Sequence, residues 1–200
     1  MAKLKYLVIH CADTPASREV TKGDIEKWHL GPALLPDGSG KVKFRGKVYP
    51  AFSALPKEFI DGTPVYRLQG RGWDRLGYSD LIQRSGNLVP LTPYNMDDYV
   101  SSDEMTWGAV GINDQSRHIC IAGGRDAKGK SITGDWNKIY TADQIQTLTA
   151  YILAFILRHQ EAIICGHYHW AKKSCPNFST AEFCKSIGVK SANYLNDKRK

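Results

Sequence analysis

The sequence predicts an α/β fold, a single domain over residues 1–200 with a central mixed β-sheet flanked by helices. Three stretches carry that expectation. Lys5 to Ile9 is a short β-rich run ending in His10. Thr141 with Gln144 three residues on forms a capping box, and apolar residues then recur at Ile145, Leu148, Ile152, Phe155 and Ile156. Ala162 to Cys165 is a compact apolar run that enters Gly166-His167. A helix with one apolar stripe, set between strand-like runs, has to bury that stripe against a sheet.

The remaining elements follow in chain order. Asp13-Thr14-Pro15 is a turn signal just after His10, which places that histidine at a strand end. Thr21, with Asp24 at the third position, caps a short helix through Trp28 that Gly31-Pro32 stops. Residues 31–63 are punctuated by proline and glycine, with two short alternating runs, Val42/Phe44 and Val48/Tyr49, around Arg45-Gly46; this reads as an inserted loop carrying a small hairpin. Strand-like runs return at Val65–Leu68, Tyr78–Arg84 and Arg117–Ala122, the second leading into the turn Ser85-Gly86-Asn87. The long helix runs from Thr141 to about His159. Ser179 and Glu182 then frame a last short helix, with Phe178 and Phe183 in the positions of a hydrophobic staple. The tail from Asn196 to Lys200 is expected to fray.

Composition narrows the function classes. With 42% hydrophobic and 24% charged residues the chain reads as a soluble globular protein, and no apolar run approaches the roughly 18–20 residues of a membrane span. The N-terminal apolar run is short and broken by an ionisable His10, so no secretory signal is expected. The reading is a monomer made in the cytoplasm, carried to any substrate outside the membrane by another factor. A net charge of +7 favours an anionic partner such as a cell-wall polymer, and no nucleic-acid motif accompanies it. Nucleic acid is therefore not expected as a partner, nor is membrane insertion. Five cysteines, an odd number without dense spacing, point to reduced thiols or a metal site rather than a disulfide framework.

A catalytic zinc site needs three protein ligands and one open position, drawn from neutral His, deprotonated Cys or carboxylate. His10 and His167 end predicted strands, and Cys175 follows the loop Ala171-Lys172-Lys173-Ser174, so one edge of a sheet can gather all three. On spacing alone His169 rivals His167, because residues two apart on an extended strand face the same way. Cys11 should turn to the opposite face from His10, and Cys11, Cys120, Cys165 and Cys184 read as buried small apolar residues. His29 and His118 read as ordinary core histidines, and Trp28, Trp73 and Trp107 as core aromatics that could alternatively stack on sugar rings.

Val8-Ile9-His10, Trp73-Asp74-Arg75-Leu76-Gly77-Tyr78, Asn113 with Ile119 to Gly124, and Gly166-His167 through Lys173-Ser174-Cys175-Pro176 occur in the order seen in the type 2 amidase family. That family includes small phage amidases historically called lysozymes and the peptidoglycan recognition proteins. The resemblance spans nearly the whole chain apart from residues 31–63. It implies a zinc site in a surface groove, with His10, His167 and Cys175 as ligands, and it selects His167 over His169 by the distance to Cys175. It implies Lys173 as the residue that stabilises the transition state and Tyr78 as the one that orients water. The implied partner is peptidoglycan, and the implied reaction is hydrolysis of the amide between the muramic acid lactyl group and the first L-alanine, as in a phage endolysin.

Two departures concern the groove rather than the ligands: Ser79 stands where relatives often have His after the tyrosine, and Gly108-Ala109 where they often have His-Ala. Lys41, Lys43, Arg45 and Lys47 give the inserted hairpin a basic face suited to an anionic polymer. The alternatives are a peptidoglycan-binding module without activity, against which Cys175 argues, and a cysteine hydrolase using Cys175 with His167 or His169 as base. A zinc deaminase lacks its His-x-Glu and Pro-Cys-x-x-Cys signature.

Overall fold

The structure, a computed structural model, describes residues 1–60, 62–64 and 68–197. Residues 65–67 of the predicted Val65–Leu68 run, and the last three of the tail, lie outside them. The chain divides into two compact units, one formed by Met1–Val20 with Tyr78–Lys200 and the other by Thr21–Gly77.

The first unit is built on a five-stranded sheet. Its strands in chain order are β1 (Tyr6–Cys11), β2 (Asp80–Ile82), β3 (Leu88–Pro90), β4 (Ser116–Ile121) and β5 (Ile163–Gly166), arranged β3-β2-β4-β1-β5. Pairing is parallel throughout except for the β2–β3 hairpin, so the sheet is mixed, as expected. Alternation sorts its faces. Leu7, Ile9 and Cys11 of β1 join Ile119, Ile121 and Ile164 in the main core, while Val8 and Cys165 belong to a smaller cluster with Ala109 and Ile112 on the other side.

The helix Ala142–Arg158 covers the main core face with Leu148, Ile152 and Phe155. Its start is fixed by the predicted box, in which Thr141 Oγ1 accepts from the Gln144 N–H at 3.1 Å and the Gln144 side chain accepts from the Thr141 N–H at 3.1 Å. Gln144 is fully buried, and its Nε2 also donates to Ala122 at the end of β4, so one residue both caps the helix and ties it to the sheet. The last helix, Thr180–Ser186, begins at Ser179, whose Oγ accepts from the Glu182 N–H, and Phe178 and Phe183 pack edge to face at 5.5 Å. Among the described residues no helix is long and apolar enough to cross a membrane.

The second unit holds the helix Lys22–Leu30, opened by the Thr21/Asp24 capping box, and a three-stranded sheet of Ala33–Leu34, Val42–Phe44 and Lys47–Tyr49. The predicted hairpin turns at Arg45 and Gly46, both at positive φ of 51° and 78°, the left-handed pair that a two-residue turn of this hand requires. Arg45 does not join the hairpin's open basic face, because its guanidinium is held by Glu58 through two hydrogen bonds of 3.0 and 2.9 Å.

His29 is the buried polar centre of this unit, with Nδ1 accepting from the Gly77 N–H at 3.0 Å. Burial, helped by the Arg71 charge, pushes its pKa down to about 3. A base depressed on folding contributes stability that is whole above its unfolded pKa near 6.5 and is lost as pH falls toward 3. The His29 contribution should fall by about 2 kcal/mol between pH 7 and pH 5. Urea unfolding at the two pH values measures it: wild type should lose about that much more than His29→Gln.

Candidate metal centre

Three residues predicted as ligands come together at the C-terminal edge of β1 and β5. Gly166 pairs with Ile9 across the parallel strands, so the next residues, His167 and His10, are brought side by side, with ring centroids 4.5 Å apart. His10 is almost wholly buried and His167 half-buried. Gly166 is required at this approach, since a Cβ there would lie 2.4 Å from the Tyr168 ring.

Cys175 arrives from the other end of a short loop. The His167 carbonyl accepts from the Ala171 N–H at 3.1 Å, and the Tyr168 N–H donates to the Cys175 carbonyl at 3.0 Å, which folds the loop back onto its own start. The chain beyond is pinned by Tyr140, whose hydroxyl donates to the Pro176 carbonyl at 2.7 Å, and by Asn177, whose Nδ2 donates to Gly124 at 2.9 Å. The Cys175 sulfur then accepts from the Cys11 N–H at 3.1 Å. The donor atoms of His10, His167 and Cys175 all lie within 4.8 Å of one another. Two imidazoles and a sulfur form a donor set suited to zinc, whose bonds to such atoms run about 2.0–2.3 Å.

His169 is not part of this group. The segment His167–His169 is a 3₁₀ turn and not an extended strand, so residues two apart diverge. The His169 side chain is turned to the backbone of Gly166 and, at 3.3 Å, to the Asn196 carbonyl.

Tyr78 packs its half-buried ring 5.0 Å from that of His10. Lys173 is exposed on the ligand loop, two residues before Cys175, with its N–H donating to the Ala171 carbonyl at 2.8 Å. At the rim, Arg125 donates to Asp13 at 2.5 Å and keeps that carboxyl below the usual range, tying the chain after β1 to the chain after β4.

The other cysteines are buried, as expected, and Cys11 joins the main core while its backbone serves Cys175. Burial pushes the Cys120 thiol well up and the Cys165 thiol to about 12, so both stay protonated. His118 departs from the reading as an ordinary core residue. It shares the His10 face of the sheet, and its Nδ1 lies 3.0 Å from His10 Nε2. Period-two alternation puts residue 118 on the same face as residue 120, but only the β4–β1 pairing, which no local pattern encodes, brings that face to His10.

No family model matches the chain. It is 25% identical over 174 residues to the endolysin of Escherichia phage T7, covering 86% of this chain and 80% of that one. Its structure superposes on the N-acetylmuramoyl-L-alanine amidase LysC of Clostridium intestinale with a TM-score of 0.54 at 16% identity, covering 94% of this chain and 88% of LysC. The chain is thus similar in sequence to phage endolysins and shares the fold of an N-acetylmuramoyl-L-alanine amidase. The Drosophila peptidoglycan recognition protein PGRP-LB has the same fold, with a TM-score of 0.56 at 15% identity over 99% of this chain and 88% of its own. The resemblance drawn from the sequence is thus met both by an endolysin in sequence and by amidase and recognition proteins in fold. In this chain the gathered donors lie at strand ends and on one loop, where a rigid sheet presents variable chemistry.

Proposed function

We propose that the protein is a zinc-dependent N-acetylmuramoyl-L-alanine amidase, an endolysin that hydrolyses the amide between the muramic acid lactyl group and the first L-alanine of the peptidoglycan stem. The convergence of His10, His167 and Cys175 within 4.8 Å carries the reading, and the similarity to phage endolysins and to the amidase fold supports it. The two histidines and the cysteine would hold the ion, and when bound it supplies Lewis acidity that lowers the pKa of a water toward about 7.

The chain's own residues do the rest. The Cys11 N–H points at the Cys175 sulfur and favours its thiolate form. The Tyr78 hydroxyl holds and orients the attacking water. Lys173 carries its ammonium beside the ligand loop and donates to the amide oxygen as that oxygen gains charge. The exposure of Lys173 leaves its long side chain free to settle on a bound substrate.

A cysteine hydrolase is the weaker reading. The Cys175 sulfur faces two imidazoles at once, a grouping that suits a cation better than a nucleophile served by a single base. We further place the enzyme as a monomer made in the cytoplasm and delivered to the wall by a separate factor.

Product analysis tests the bond that is cut. Mass spectrometry of digested peptidoglycan should show stem peptides with free L-alanine amino termini and intact glycan strands. New reducing ends with no free alanine would overturn the amidase assignment in favour of a glycan-cleaving enzyme.

A further inference from the structure

His118 is a wholly buried polar residue beside the candidate ligands that the mechanism above does not use. It is wholly buried in β4, its N–H donates to Ser79 Oγ at 3.4 Å and its carbonyl accepts from the Ser79 N–H at 2.8 Å. Its ring makes one hydrogen bond among the described residues, Nδ1 to His10 Nε2 at 3.0 Å, while its own Nε2 is buried with no hydrogen-bond partner. An unmet polar atom in a core carries a stability penalty that an apolar residue of similar size would avoid. Among the described residues, the one hydrogen bond of its ring is to a member of the candidate ligand triad.

The proton count on this pair is restrictive. One hydrogen lies between His10 Nε2 and His118 Nδ1, and either ring can supply it. If His118 donates, the His10 proton sits on Nδ1 and His10 has no lone pair left for a cation. If His10 donates from Nε2, its Nδ1 carries the lone pair, and the His118 proton moves to Nε2, the atom that has no partner. Only the second arrangement makes His10 a ligand.

We infer that His118 is a positioning residue for the metal site: by accepting from His10 Nε2 it fixes the ring orientation and the tautomer that turn His10 into a ligand through Nδ1. The inference rests on the zinc reading given above. A partner of this kind typically contributes ten- to a hundredfold to metal affinity.

Two measurements test it, beginning with the zinc affinity of wild-type protein by competition with a chromogenic chelator. Absence of tight binding to wild type would overturn the zinc reading itself. Given tight binding, His118→Leu, which has no acceptor, should bind zinc about ten- to a hundredfold more weakly, while His118→Asn, whose Oδ1 stands near the position of Nδ1, should stay within about threefold of wild type. Equal affinity of His118→Leu and wild type overturns the role of His118 and leaves the zinc reading standing. Independently of whether a variant folds, long-range proton–nitrogen NMR of zinc-loaded wild type should find His10 and His118 both protonated at Nε2. A proton on His118 Nδ1 overturns the inference.

Discussion

Cys175→Ala should lose peptidoglycan-cleaving activity by about a thousandfold or more while keeping its fold. On the proposed zinc mechanism, removing a third ligand would leave two histidines to hold the ion, and losing several kcal/mol of charge stabilisation would translate to about a thousandfold in rate. The fold should survive because the neighbouring chain is anchored independently of the sulfur, by the Tyr140 hydroxyl on Pro176 and by Asn177 on Gly124. Zinc content after gel filtration, thermal unfolding and the release rate of amino termini are read on the same preparation. The expected combination is loss of metal, loss of rate and a retained cooperative transition. Normal zinc content in the variant would remove Cys175 from the ligand set. Chelator-resistant cleavage in wild type that vanishes in the variant would favour the cysteine hydrolase.

Lys173→Ala should separate rate from metal binding. The side chain is exposed and its residue is held through the backbone, so stability should change by no more than about 0.5 kcal/mol. Loss of a donor to the developing oxyanion costs about a hundred- to a thousandfold in kcat. Zinc affinity should be unchanged, since no donor atom is removed. Lys173→Arg should recover part of the rate, because it keeps the charge with a different reach. A kcat within a few-fold of wild type in Lys173→Ala, with zinc bound, would return this residue to an ordinary solvated loop lysine.

The elements that position the site were legible because each has a local cause. The Thr141/Gln144 box and the apolar stripe behind it mark the long helix, and the β-rich run from Lys5 to Ile9 marks the strand that delivers His10. The Arg45-Gly46 turn follows from the need for positive φ at both positions. What local pattern cannot carry is strand order. That β1 lies between β4 and β5 is a tertiary fact, and it alone decides that His167 and His118 flank His10.

The same limit explains His118. From its own strand it is one buried residue among six, and its significance comes from a neighbour 108 positions away. His169 illustrates the opposite error. Extended spacing made it a rival ligand, and the 3₁₀ turn at His167–His169 removes it because the assumed period was wrong. The choice of His167 rested on the family resemblance and not on spacing. Sequence proximity assigns Arg45 to a basic face, whereas Glu58, thirteen residues on, occupies its guanidinium.

The zinc amidase reading is tested most directly by a strip-and-reload cycle on a single preparation of wild-type protein, following release of L-alanine amino termini from purified peptidoglycan. Chelator-stripped protein should release none, and stoichiometric zinc should restore the original rate. Undiminished release from protein shown to be metal-free would refute a zinc-dependent mechanism, and no release from the fully zinc-loaded protein would leave a wall-binding module in place of an enzyme.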